Sequence, residues 1–197
     1  MRHFVVTWPR RVRELVGFAG ASVWREGYGP SGPDAIGYGL EGVIRIAELL
    51  GVGLVVQLAD ALLHARATRP LTAREWAFAK TYHAPSVLAK ARLQTASAVA
   101  RRLRIAFVLG RVVKCGGGPA GPLLVHELCH VGQFGRWGWA YVAKCLWSQH
   151  RGGGYAYLAG TLRQDLNAEQ EAAVVEDEAR VALGLPRRWM RHSHRDA

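Results

Sequence analysis

The residues able to do chemistry are concentrated in one short stretch. His126, Glu127 and His130 form the pattern His-Glu-x-x-His, with Leu128 and Cys129 between. Residues four apart share one face of an α-helix, so both imidazoles can address one ion. Zinc takes nitrogen ligands at about 2.0–2.1 Å, and a helix offers two histidines for it without strain. Glu127 is turned about 100° from His126. That offset keeps its carboxylate off the metal and within reach of a water beside it, whose proton it can accept. Cys129 lies off the histidine face. It is expected to be a buried apolar thiol, a Cys129/His130 site being the alternative.

A catalytic zinc needs a third protein ligand and an open position. The extended form HExxHxxGxxH is absent, because Gln133 and Arg136 stand where its Gly and third His would be. A carboxylate from a second helix is the remaining common choice, and Glu169, Glu171 and Glu176 are the candidates. Acids in a first helical turn also suit the helix dipole, so spacing leaves all three open. Ala172, Val175, Ala179 and Ala182 make an apolar stripe that should face the core. Glu169 lies on the i, i+3 line from Ala172, so periodicity favours it. Only one of Glu169 and Glu171 is expected to point at the HExxH helix. Gln133, one turn past His130, is expected to hydrogen-bond rather than to ligate. Tyr155 and Tyr157 could stabilise an oxyanion, with aromatic packing as their expected role. His64, His83, His150, His192 and His194 show no ligand spacing, although the His-Ser-His of the tail could take an adventitious metal.

These groups need elements to position them. Pro122 can open the HExxH helix at its first position, and Leu124, Leu128 and Val131 form its core stripe. Thr72 and Glu75 make a capping box for a helix to about residue 83. Asn167 and Gln170 start another, which runs to about residue 183, with Gly184 and Pro186 just beyond. Residues 105–109 and 111–115 flank Gly110 and read as two short strands or one bent strand. Residues 87–95 alternate weakly, residues 99–104 are helix or turn, and residues 115–122 are loop. Residues 134–147 read as loop and short helix, and residues 150–165 as loop. Residues 20–39 read as loop, five glycines lying between 27 and 39. A short helix is expected over residues 11–18.

Residues 42–63 are strongly apolar, but Arg45, Glu48 and Asp60 interrupt them. Their charge-free core is too short for a bilayer, which needs about 20 residues. Gly51 and Gly53 then suggest two buried helices meeting at the glycines. A membrane-associated hairpin is the alternative.

The 197-residue length suits one domain with an extension. Half the residues are hydrophobic and 21% charged, which excludes overall disorder. Glycine shows no period, which excludes a collagen-like chain. Three sparse cysteines argue for a reducing, cytoplasmic setting rather than a disulfide framework. Arg10, Arg11, Arg13 and Glu14 break any secretory signal. The formal net charge is +11, and residues 67–120 hold ten basic residues against one acidic. A solvated surface is the expected reading. The alternative is a basic module that presents Arg101, Arg102, Arg104, Arg111 and Lys114 to nucleic acid or anionic lipid.

The segment Leu-Leu-Val-His-Glu-Leu-Cys-His-Val-Gly-Gln-Phe, residues 123–134, resembles the LLxHExxHVxQ motif of gluzincin-type peptidases found with extracellular contractile injection systems, the eCIS core family. Residues 70–83 resemble the helix that opens that domain. Residues 104–114 resemble its strand pair, and Glu169-Gln170-Glu171-Ala172 its downstream glutamate motif. The resemblance covers about residues 70–183. It implies an α+β, zincin-like domain over residues 70–185, after an N-terminal extension (1–69) and before a basic polar tail (186–197). It implies Zn2+ held by His126, His130 and Glu169, with Glu127 as general base. It also implies a peptide or protein substrate and association with, or delivery by, an injection system. Ala173 stands where such enzymes often carry an acid that supports a ligand histidine, and Asp165 or Asp177 could substitute. In zincin architecture a substrate strand would lie along residues 105–109. A non-catalytic zinc protein with the same ligands is the rival reading.

Overall fold

The computed structural model describes residues 26–30, 32–64, 67–119 and 121–191. The helix expected over residues 11–18 lies outside these residues, as do His192 and His194. The described chain is α+β: eight α-helices around a three-stranded sheet and a two-stranded one.

Helix α1 (Ala35–Leu49) and α2 (Val52–His64) meet at Gly51, whose φ of 78° turns the chain. The loop expected to residue 39 ends earlier, because the Asp34 side chain accepts the Gly37 N–H at 2.8 Å and starts α1. The pair is not buried all round as expected. Val43, Ile46, Leu50 and Val55 are exposed, since each helix packs only one face among the described residues. Glu41 on α1 pairs with Arg45 and with Lys144 at 3.2 Å, all three buried. Gly53 is needed for contact rather than for turning. A Cβ there would stand 2.1 Å from Trp139 Nε1.

Helix α3 (Ala73–Ala79) carries the expected capping box. Arg69 closes on Glu75 through two hydrogen bonds of 2.7 Å. Those bonds, with the cap, hold the Glu75 carboxyl down at about 2. A carboxyl depressed in the folded state adds stability above its ordinary value, and that stability is lost as pH falls through the folded value. Gln can still complete the cap, but Glu75→Gln removes the charge paired with Arg69 and should cost about 1 kcal/mol near pH 7. The gap to wild type should shrink by about pH 3. Urea unfolding at the two pH values checks this, and a constant gap would contradict it.

Helix α4 (Pro85–Leu88) and strand β1 (Arg92–Gln94) divide the stretch read as weakly alternating. Pro85 supplies the helical start there. Helix α5 (Ala98–Leu103) follows, then β2 (Phe107–Leu109) and β3 (Val112–Lys114), a hairpin about Gly110 with φ of 65°. The sheet order is β1-β3-β2, with β1 parallel and β2 antiparallel to β3. Lys114 is buried against Asp60 and Gln94, so it is unavailable to the basic surface considered from sequence, whereas Arg101, Arg102 and Arg104 are exposed.

Helix α6 (Gly121–Trp137) carries the motif and forms the centre of the core. It runs past Gly135, where a loop was expected, and stops at Gly138, φ 60°. Helix α7 (Ala140–His150) follows, then β4 (Tyr157–Leu158) and a 3₁₀ turn at Arg163–Asp165. Helix α8 (Ala168–Ala182) has the expected Asn167–Gln170 capping box and lies along α6. Buried Ala168, Ala172, Ala173 and Ala179 let the two helices approach closely, whereas Ala182 is exposed beyond the end of the contact.

The expected polar tail is docked over its first part. β5 (Met190–Arg191) pairs with β4. The Asp177 carboxylate accepts the backbone N–H groups of Arg188, Trp189 and Met190 at 2.6, 3.0 and 3.1 Å. No described helix is long and apolar enough to cross a membrane.

Candidate metal centre

Helix α6 projects His126 and His130 towards the start of α8, where the Asn167 cap sets Glu169 in the first turn. The Glu169 Oε2 atom lies 3.6 Å from His126 Nε2 and 3.4 Å from His130 Nε2. One donor atom from each of the three falls within 4.8 Å of the others, and all three residues are buried. This cluster could hold a metal ion. Two donors about 2.0–2.1 Å from a tetrahedral zinc stand ~3.3 Å apart, close to the spacings seen. Glu169 Oε2 is also buried without a hydrogen-bond partner, as a ligand atom would be. Burial alone would raise the Glu169 carboxyl, but the two imidazoles outweigh it and keep it well below the usual range.

The other imidazole nitrogens each face an oxygen acceptor from behind. Gln133 Nε2 donates to the Ala168 carbonyl at 2.8 Å and to Glu171 at 3.0 Å. Its Oε1 therefore faces His130 and accepts from Nδ1 at 2.8 Å, which leaves the His130 Nε2 lone pair for the cluster. Gln133 thus has the hydrogen-bonding place expected of it. Glu176 Oε2 lies 3.2 Å from His126 Nδ1, near but off the line of a hydrogen bond, and accepts from Trp189 Nε1 at 2.9 Å. Glu176 thus occupies the supporting place offered to Asp165 or Asp177. Asp177 is committed instead to the tail and to the Tyr157 hydroxyl at 3.1 Å. A supporting carboxylate of this kind typically changes metal affinity by about 10–100-fold. Glu176→Gln should weaken zinc binding by that factor, measured by competition with a chelator. Unchanged affinity would remove Glu176 from the site.

Both acids of the first turn reach α6, contrary to the expectation that only one would. Glu171 does so one turn further along. It pairs with Arg136 at the end of α6 and with Arg163 at 3.2 Å. Helix α8 is buried on most of its circumference there, so two acids 200° apart by helical geometry still find partners.

Glu127 stands outside the three-donor cluster. It is buried, it lines the same cleft, and its Oε2 has no hydrogen-bond partner. Burial raises its carboxyl above the usual range, a shift that the nearby imidazoles only partly oppose. Cys129 is buried, and burial pushes its thiol up to about 12, as expected of an inert core thiol.

Helix α7 brings three residues that sequence reasoning missed. Gln149 Nε2 donates to the second Glu169 oxygen at 2.9 Å and to the Tyr155 hydroxyl at 3.2 Å. Cys145 Sγ lies 3.6 Å from His130 Nδ1, and burial pushes this thiol up to about 11. Tyr141 closes the same wall, its ring centre 6.5 Å from that of His130. The signal was their spacing of four, which puts 141, 145 and 149 on one face. Of the two tyrosines considered for an oxyanion, Tyr155 lines the cleft, 5.7 Å from His126 between ring centres. It stacks on Trp189 at 4.7 Å, and burial raises its hydroxyl to about 12, so it remains a donor. Tyr157 packs in a separate apolar cluster.

Comparison with family models, with curated proteins and with solved structures gave no match.

Proposed function

We propose that this protein is a zinc metallopeptidase of the gluzincin type. The observation that carries the reading is the buried His126–His130–Glu169 cluster at the floor of a cleft, with the unpartnered Glu127 carboxylate beside it. Two imidazoles and one carboxylate are the donor set of an open, three-ligand zinc site. A zinc ion held by these three residues would act as the Lewis acid of the reaction. Glu127 accepts a proton from the attacking water and returns it to the leaving amine. Gln133 holds the His130 ring in the tautomer that directs Nε2 to the metal, and the Glu176 carboxylate beside His126 Nδ1 favours the same tautomer there. Tyr155 donates its hydroxyl to the carbonyl oxygen as charge develops there.

The resemblance to injection-system domains suggests a protein substrate met in that setting, whether the chain acts beside the apparatus or is delivered by it. The test of the catalytic reading is chelator-sensitive cleavage of an unstructured protein by the purified chain, restored by added zinc. Tyr155→Phe should lower kcat by about 10–100-fold without changing zinc content. Zinc binding with no cleavage of any substrate would favour the non-catalytic rival.

A further inference from the structure

Helices α1 and α2 are amphipathic the wrong way round. On α1, Glu41, Arg45 and Glu48 follow i, i+4, i+7 spacing and share one face. All three are buried. Glu41 meets Arg45 and Lys144, and Glu48 lines the metal cleft beside the Gly138 backbone. The opposite face carries Ile36, Val43, Ile46 and Leu50, again at helical spacing. These four are exposed, Val43 at 65% and Leu50 at 78%. Helix α2 continues the pattern. Its Val52, Val55, Val56 and Leu58 are exposed, and its Asp60 is paired with buried Lys114. Among the described residues of the two helices, no exposed side chain is charged. Scattered exposed apolar residues are ordinary, whereas a continuous face of them marks a contact surface.

Charge complementarity points to what covers this face. Ile105 lines the cleft together with Val52 and Val56, so the end of α5 adjoins the apolar face. Arg101, Arg102 and Arg104 stand there, all exposed and interleaved with exposed Val99, Leu103 and Ile105. The one acid of residues 67–120, Glu75, is already paired with Arg69. An apolar face bordered by arginines fits a bilayer of anionic lipid, which offers phosphates outside and acyl chains just beneath. A second copy of the chain fits less well. Each copy carries a net charge of +11 and would bring its own arginines to the seam. The 15 residues of α1 and the 13 of α2 are each too few for a hydrocarbon core that needs about 20. The pair therefore suits the interface rather than a crossing.

We propose that the protein docks on anionic membranes, with the outer face of α1 and α2 in the headgroup boundary and Arg101, Arg102 and Arg104 on the lipid phosphates. Val52 and Val56 belong both to the docking face and to the cleft lining, so the mouth of the cleft lies at the bilayer surface. Docking does not depend on the peptidase reading.

The test is flotation of the purified full chain with vesicles of phosphatidylcholine alone or of phosphatidylcholine mixed with phosphatidylglycerol. Affinity for the anionic vesicles should be about 100-fold higher and should fall steeply with added salt. The triple variant Arg101→Gln/Arg102→Gln/Arg104→Gln should lose about 100-fold on the anionic vesicles. The double variant Val43→Ser/Leu50→Ser should lose about 10–100-fold on the same vesicles. Ile36→Ser/Ile46→Ser should repeat that loss from the same face. All seven positions are exposed, so urea unfolding should stay close to wild type. None of them lines the cleft, so zinc content should also be unchanged. No binding to anionic vesicles, or equal binding to both kinds, would overturn the proposal. So would binding that survives both serine variants, which would make the surface purely ionic. A dimer in vesicle-free solution that the serine variants split would assign the face to a second copy, and would overturn it too.

Discussion

Glu127→Gln is expected to keep its zinc and to lose peptide hydrolysis by about 10²–10⁴-fold, the usual worth of a positioned general base. Gln keeps the size and shape of Glu but cannot accept a proton at neutral pH. Glu127 lies outside the donor cluster, so the metal should not depend on it. Its Oε2 has no competing partner, and burial makes the carboxylate a stronger base than one in water. The measurement is kcat/KM together with zinc per chain. A variant that loses zinc as fully as His126→Ala would make Glu127 a ligand. A variant with wild-type activity would remove it from the chemistry.

Glu169→Ala should weaken zinc binding by more than the about 10–100-fold caused by changes to supporting residues. It removes the Oε2 atom that faces both Nε2 atoms, and it leaves Gln149 without its acceptor. Glu171→Ala should have a smaller effect on the metal, within that 10–100-fold range. Glu171 touches the centre only through Gln133, whose amide it helps to orient towards His130. Its larger effect should be on stability, because Arg136 loses a nearly buried partner. Chelator competition and urea unfolding on both variants separate the two roles. Greater zinc loss in Glu171→Ala than in Glu169→Ala would move the ligand to Glu171.

The parts of this site that could be read from sequence are those set by local geometry. The i, i+4 spacing of His126 and His130 needs only a helix. The Thr72–Glu75 and Asn167–Gln170 capping boxes each lie within four residues, and both formed. The stripe through Ala172, Val175 and Ala179 was enough to favour Glu169 as the inward acid. Gln133, one turn from His130 on the same helix, was legible as a hydrogen-bonding group, whereas the other supporting groups were not, because they depend on how the helices cross. Glu176 was weighed as a ligand, but the crossing places it behind His126 rather than beside Glu169. Gly135 concealed the true length of α6, because its low helix propensity was overridden in the folded chain. The last segment read as a solvated tail because Arg187, Arg188 and Arg191 dominate it. Asp177, further along α8 from the metal cluster, supplies the acceptor that docks its backbone. The apolar run at residues 42–63 was read as two buried helices, yet its place on the cleft rim leaves several of its side chains exposed.

Metal analysis of the purified full chain, beside the His126→Ala/His130→Ala double variant, tests the central claim most directly. The geometry predicts about one zinc per wild-type chain and none in the double variant, whose remaining Glu169 is a single ligand. A zinc-free wild-type chain, or a double variant that retains its full zinc, would contradict it.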